Sequence, residues 1–312
     1  MARSAYLGQE SAPLPAAKSG RQLWRRLSPY VWVAPAIIAL AALVAYPSVY
    51  ALVLSFYKWN LTRPQVGRRF VGLDNYAKAI HDEVFLETVR NTVVFVVGSV
   101  TIEFVLGIFL ALVLSQKLPG VRLARALIIT PTMVAPVIAG LIGRYMFFSG
   151  YGIVPYLLEK VGIVVSDGIL ATPGVAMAAV ILIDVWQWTP FVILVVAAGL
   201  QSLSNEPIEA AQVDGASSWQ ILYSITLPML KRVLLVVLLL RIMDAVKTFD
   251  IIYATTRGGP GNTTMTVTYF GFQQGLNFFE MGYAAAISFM ILISVVILSQ
   301  AFIRGVYRGA HI

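Results

Sequence analysis

The chain has 312 residues, 58% of them hydrophobic and 12% charged, with 23 Lys and Arg against 15 Asp and Glu for a formal charge of +8. Soluble domains run at about half apolar and about a quarter charged, so this composition points to the bilayer as solvent; in a membrane chain a basic surplus marks cytoplasmic loops rather than nucleic-acid binding. The absence of cysteine excludes disulfides and thiolate chemistry, and the two histidines, His81 and His311, are too few for a histidine-based metal cluster.

Residues 1–29 are polar and basic, ending in Arg21, Arg25 and Arg26, and an apolar run begins at Val31. Ala39-Leu40-Ala41 would fit a signal-peptide cut site, but the run continues through Phe56, too long for a signal h-region, and reads as an uncleaved first span. A spanning helix needs about 20 mostly apolar residues. Six stretches qualify, at 31–56, 92–114, 124–148, 175–200, 229–254 and 282–303. The expected fold is an all-α integral membrane protein, with a cytoplasmic segment at 1–29 and a six-helix transmembrane domain over 30–312. Pro35, Pro47, Pro131, Pro136 and Pro190 lie within or near spans, where kinks are tolerated if neighbours satisfy the freed carbonyls. The arginine-rich flank favours a cytoplasmic N-terminus, and six spans return the C-terminus to the same side. Lys117, Arg122, Arg125, Lys231 and Arg232 then lie inside. The 57–91 loop runs against this charge rule, because it falls outside yet holds Lys58, Arg63, Arg68, Arg69, Lys78 and Arg90 beside four acids; it is long enough to form a small folded cap.

An ionisable residue within a span is costly, and points to a function or a partner. Glu103, in the middle of span two, is placed either to line a path or to hydrogen-bond across a helix interface. In span four Asp184, Gln187, Trp188 and Phe191 follow helical spacing and share a face. An indole has a broad apolar face and a polar edge, which suits the C–H face of a sugar ring, while carboxylate and amide groups suit its hydroxyls. An aromatic interface belt with a kink at Pro190 meets the same pattern. In span five Arg241, Asp244, Lys247 and Asp250 recur every three residues and sum to zero. They read either as a self-neutralising ladder that lets the helix insert or as groups facing helices and a cavity.

Between spans four and five, Ser204 or Asn205 can cap a helix, Pro207 fits its first turn, Glu206 and Glu209 suit its positive end, and Gly215 breaks it after about two turns. Ser217 or Ser218 can start a second short helix that Pro228 limits. Ala210, Ala211 and Ala216 expose little side chain, so another surface can approach the backbone closely. By physics alone this is a docking knob or a well-capped surface loop. The spacing is more specific. Glu209-Ala210-Ala211, three residues, Gly215, nine residues, Ile225, one residue and Leu227-Pro228 resembles the EAA loop of binding-protein-dependent ABC importer permeases.

That resemblance covers the chain from about Pro29 onward and implies the type I importer permease fold. It implies that 204–228 is a coupling loop, with Glu209, Ala210, Ala211, Asp214 and Gly215 seated in a cleft of a partner ATPase. The chain has no Gly-x-x-x-x-Gly-Lys-Ser/Thr loop, so the chain is expected to be non-catalytic and without a cofactor, with ATP and Mg held by two copies of an ATP-binding subunit. Val71-Gly72-Leu73-Asp74-Asn75-Tyr76 and the stretch from Thr256 to Thr264 resemble outer-loop motifs of carbohydrate permeases of the maltose and trehalose type. The implied cargo is a di- or oligosaccharide delivered by an external solute-binding protein, with a second, related permease subunit completing the path. The implied location is a bacterial or archaeal cell (inner) membrane with both termini cytoplasmic. Permeases for glycerol phosphates belong to the same family and stay as an alternative. Counted from the EAA loop, Asp184, Gln187, Trp188 and Phe191 fall where maltose-type permeases place span-four sugar contacts. Arg241, Asp244 and Ala245 fall where they place span-five contacts. Residue types differ at most of these positions, so the location carries over better than the ligand.

Other classes are less well served. A secondary transporter commonly shows internal repeats and paired broken helices, which the six stretches do not display. An intramembrane enzyme would need a nucleophile with a base or a metal cluster, and the spans hold neither His nor Cys. A channel has no use for an ATPase-docking loop.

Overall fold

A computed structural model describes residues 19–116 and 119–308, so Lys117 and His311 lie outside the described residues. The chain divides into two compact units between Ala51 and Leu52. The first holds α1 (Ser19–Leu40), a π-helical turn at Ala41–Ala45 and the start of α2 (Tyr46–Ser55). The chain is thus already helical at Ser19, inside the basic segment and ahead of the apolar run.

The second unit opens with a short antiparallel pair, β1 (Tyr57–Lys58) and β2 (Arg69–Phe70), with Tyr57 opposite Phe70. After α3 (Asp74–His81) comes α4 (Glu83–Leu114), whose N-cap Asp82 accepts hydrogen bonds from the backbone amides of Val84 and Phe85 at 3.0 and 3.2 Å. The acids and Arg90 of the first two turns lower local hydropathy without stopping the helix, which therefore starts nine residues before the expected span at 92. At 32 residues it is about 48 Å long against a hydrocarbon core of about 30 Å, so its first turns extend beyond the apolar layer.

The expected third span is not one helix. The stretches Leu123–Met133 and Pro136–Phe147 meet at a bend of 100°. The first takes in most of α5 (Val121–Ile129) and a 3-10 turn at Thr130–Met133; the second is α6 (Pro136–Phe147). Pro136 has no amide hydrogen and forces its predecessor to extend; Ala135 obliges with φ −62° and ψ 139°. The short α7 (Ile153–Lys160) leads to α8 (Val175–Gln201), the centre of the unit, with 61% of its apolar window buried against 17% for the last helix. Gly107 of α4 lets that helix close on α8, since a Cβ there would lie 2.6 Å from a methyl of Val192.

Next come α9 (Glu206–Val213), α10 (Ser218–Ile221), a π-helical turn at Leu222–Thr226 and α11 (Leu227–Val246). Pro228 does not terminate the helix it was expected to limit. The π-helical turn ends two residues before it, as the Ala41–Ala45 turn does before Pro47, and an i to i−5 bond, Leu227 N–H to Leu222 C=O, widens the helix where the proline ring would otherwise meet a carbonyl. The expected fifth span is also interrupted: α11 stops at Val246, and α12 (Asp250–Thr255) follows after Lys247–Phe249. The chain ends in α13 (Val267–Phe272), a π-helical turn at Gln273–Asn277 and α14 (Met281–Arg308).

By length and composition, four stretches among the described residues can cross a membrane, namely Tyr30–Ser55, Glu83–Leu114, Val175–Gln201 and Met281–Gly305; the bent pair makes a fifth if taken as one span. Lys231, Arg232, Arg241 and Asp244 make α11 too charged to qualify alone. Apolar packing falls into two clusters along α4, α8 and α11, one around Phe95, Val180, Ile183 and Ile251, the other around Ala111, Val192, Val196 and Leu230. Phe104 touches both, and beside it lies the charged centre described next.

A buried charge centre beside a cavity, and an exposed helical knob

Three helices contribute to one ion network. The Arg241 guanidinium of α11 donates through Nε to Glu103 Oε2 of α4 at 2.6 Å and through Nη2 to Glu103 Oε1 at 2.8 Å. Nη2 also reaches Asp184 Oδ2 of α8 at 3.0 Å, and Nη1 reaches Asp244 Oδ2, one turn along α11, at 3.2 Å. Arg241 is 2% exposed, and Glu103 and Asp184 are fully buried. The paired bonds to Glu103 fix the plane of the guanidinium, and the Trp188 ring centroid lies 5.0 Å from its central carbon. Glu103 therefore bonds across a helix interface, one of its two expected roles. The expected ladder survives only in part: Lys247 Nζ is 3.9 Å from Asp244, but Arg241 is held chiefly by other helices, and Asp250 starts a new one.

Beside this network lies a cavity of about 150 Å³, lined by Asp184, Trp188, Asp244, Lys247, Thr248 and Asp250 among others. It exists because α11 breaks at Lys247. The break frees carbonyls, and α13 satisfies two of them, with Thr268 Oγ1 donating to Val246 O and Thr266 Oγ1 to Thr248 O, each at 3.3 Å. Broken helices within a membrane need such replacements. The bend before Pro136 is treated alike, since Gln187 Nε2 donates to Val134 O at 2.8 Å.

Away from the cavity, α9 stands nearly free of the rest of the unit. Glu209, Ala210, Asp214 and Gly215 are exposed and Ala211 is half-buried; Val213 is 87% exposed. Ser204 Oγ accepts from Glu206 N–H at 3.4 Å, whereas the Asn205 side chain makes no capping bond. The helix ends in a Schellman turn: Ala216 N–H donates to Ala211 O at 2.9 Å and Gly215 N–H to Gln212 O at 3.1 Å. Gly215 takes φ +79°, the left-handed region that glycine occupies without penalty. Ser217 then starts α10 through a reciprocal capping box with Gln220.

The family described as binding-protein-dependent transport system inner membrane component matches residues 103–305, a stretch that holds both the charge centre and the knob. The chain belongs to this family. This permease is 34% identical over 296 residues to the trehalose transport system permease protein SugA of Mycobacterium tuberculosis, covering 95% of this chain and 94% of the relative. It is 34% identical over 271 residues to the trehalose/maltose transport system permease protein MalF of Thermococcus litoralis, covering 86% and 90%. A solved bacterial ABC transporter involved in the import of the acidic polysaccharide alginate matches with a TM-score of 0.78 at 22% identity, covering 92% of this chain and 99% of that one. At that identity the likeness is one of fold: all-α, of the type I importer permease class.

Of the residues the sequence singled out in spans four and five, the permease brings Asp184, Trp188 and Asp244 to the cavity wall. Arg241 sits behind that wall as the hub of the network. Gln187 is 1% exposed and spends its amide on the bend, Phe191 meets Trp188 edge to face at a centroid distance of 6.4 Å, and Ala245 is fully buried in an apolar cluster. Lys247, Thr248 and Asp250 join the wall because of the break, whose signal was these three polar residues falling within four positions of an apolar stretch.

The motifs in the segments 57–91 and 256–266 carry structure as well. Asn75 is 7% exposed and its amide donates to Ser55 O and Tyr57 O at 2.8 and 3.0 Å, bolting α3 to the end of α2. The 256–266 segment is pinned to α4, where Asn91 Nδ2 donates to Asn262 O at 2.7 Å and Thr92 Oγ1 accepts from Val267 N–H at 3.0 Å.

Proposed function

We propose that this permease passes a sugar, a di- or oligosaccharide, across a bacterial or archaeal inner membrane, taking it from an external solute-binding protein and drawing on ATP hydrolysis in a partner. The observation that carries the reading is the pairing in one chain of an exposed, glycine-terminated knob with an intramembrane polar cavity. A protein that had only to span the bilayer would need neither. α9 is the coupling helix, with Glu209, Ala210, Ala211, Asp214 and Gly215 facing an ATP-binding subunit present in two copies, where ATP and Mg are bound. The named trehalose and trehalose/maltose relatives support the sugar.

In this reading the chain crosses six times, through α1–α2, α4, the bent pair, α8, α11–α12 and α14, with α9 and both termini cytoplasmic. A second permease subunit, related but different, supplies the opposite wall of the path. Trp188 and Asp244 contact solute directly; Asp184, Gln187, Phe191, Arg241 and Ala245 hold that wall in place. Purifying the tagged permease from its membrane tests this. Co-elution with an ATP-binding chain and a second permease is the expected result, and isolation of the permease alone in active form would overturn it. The absence of cysteine allows a check of topology: with Val213→Cys labelled only from the cytoplasm and Phe70→Cys only from outside, the assignment holds.

A further inference from the structure

We infer that the cavity wall selects for uncharged sugars and turns away anionic ones such as uronates and sugar phosphates; this rests on the reading of the cavity as part of the solute path. A carboxylate or phosphate leaving water for a partly enclosed site must find a cation or several donors there, or bear an uncompensated desolvation cost. The cavity wall supplies three carboxyl groups, from Asp184, Asp244 and Asp250, against one ammonium, from Lys247. That ammonium is already 3.9 Å from Asp244.

The neighbouring cation is more firmly committed. All three guanidinium nitrogens of Arg241 donate to carboxylates, and the group is 2% exposed behind Trp188. Releasing it to an incoming anion would strand Glu103 and Asp184, both fully buried. An anionic solute would therefore meet like charge without a free counter-charge. A neutral sugar meets the opposite situation. Its hydroxyls are donors for acceptor-rich carboxylates, and those of Asp244 and Asp250 stand on the wall without being buried. The half-exposed Trp188 adds a face for the C–H surface of a ring. The same wall thus rewards hydroxyls and penalises anions, which argues against a glycerol phosphate as cargo.

The test uses the complete complex in lipid nanodiscs without the external binding protein, so that the wall and not the delivery protein does the selecting. Trehalose, maltose and lactose are titrated, and against them disaccharides of uronic acids, reading the tryptophan emission that is lost in Trp188→Phe. Neutral disaccharides are expected to shift that emission, and uronates to bind at least about tenfold more weakly, equivalent to about 1.4 kcal/mol. The gap should narrow in Asp250→Asn, whose carboxylate lies outside the Arg241 network. Uronates binding as well as neutral sugars would overturn the inference and leave the cavity as a solute site. A gap unchanged in both Asp250→Asn and Asp244→Asn would overturn the charge explanation. No response to any sugar would overturn the reading of the cavity itself.

Discussion

Replacing Arg241 with methionine removes the centre of the intramembrane network while keeping much of the side-chain volume. Four hydrogen bonds of 2.6 to 3.2 Å disappear together. Glu103 and Asp184, each fully buried, are left without a cation, while half-exposed Asp244 still has Lys247 at 3.9 Å. Removing one partner of a buried pair costs about 3–5 kcal/mol, most of it the penalty for the stranded charge. At about 2.1 cal/mol/K per residue the chain's unfolding entropy sets about 1.5 °C per kcal/mol, so the unfolding midpoint should fall by about 5–8 °C. The assay is loss of the monodisperse complex on heating in detergent, compared at one fixed heating rate because such unfolding is irreversible. Combining Arg241→Met with Glu103→Gln and Asp184→Asn removes the stranded charges, and a buried ion triad replaced by uncharged groups is often tolerated. The triple variant should recover most of the loss. A single variant as stable as the parent, or a triple variant less stable than the single one, would refute the assignment of Arg241 as the hub that ties α4, α8 and α11 together.

Further expectations follow from the other sites. Gly215→Val forces a β-branched residue to φ +79°, at a cost of roughly 1–2 kcal/mol, with no clash inside the chain because a Cβ there meets nothing within 4 Å; the permease should insert normally and lose ATPase stimulation. Gly215→Asn, which tolerates that conformation, should retain the turn, so a Val variant with parental turnover would remove the coupling role from this loop. Trp188→Ala removes a ring from the cavity wall and leaves Arg241 in its bonds to Glu103 and Asp184, and sugar uptake by the complex should fall by about tenfold while assembly is kept; unchanged uptake kinetics would take Trp188 off the solute path. Gln187→Leu strands the Val134 carbonyl at the bend and should destabilise the complex by about 1–3 kcal/mol, readable as a lower unfolding midpoint; a midpoint equal to the parent's would remove Gln187 from the support of the bend.

The sequence made the helical knob legible almost residue by residue, because capping residues, a proline at the first turn and a glycine at C′ are local signals. Spans were legible as apolar stretches, but their breaks were not. Pro136 announced a kink, yet a 100° bend depends on Gln187 reaching across from α8 to the freed carbonyl, a contact 53 positions away. The interruption at Lys247 depends in the same way on Thr266 and Thr268. The three-residue charge rhythm in span five was visible, but it pointed along the helix, whereas Arg241 finds its principal partner 138 positions upstream in Glu103. Helical spacing put Gln187 and Phe191 on the same face as Asp184 and Trp188, and could not tell the wall of a cavity from the packing behind it. Asn75, conspicuous in a loop motif, proved to be a bolt between α2 and α3.

If α9 transmits the work of an ATPase to the intramembrane path, one site on it should report the contact. Ala211→Cys introduces one thiol into an otherwise cysteine-free chain, on the helix that stands clear of its own fold. Carrying a photoactivatable maleimide, that thiol should crosslink to an ATP-binding subunit in native membranes, with a yield that changes between nucleotide-free and ATP-bound conditions. Crosslinking to lipid or to the permease itself, insensitive to nucleotide, would contradict the account.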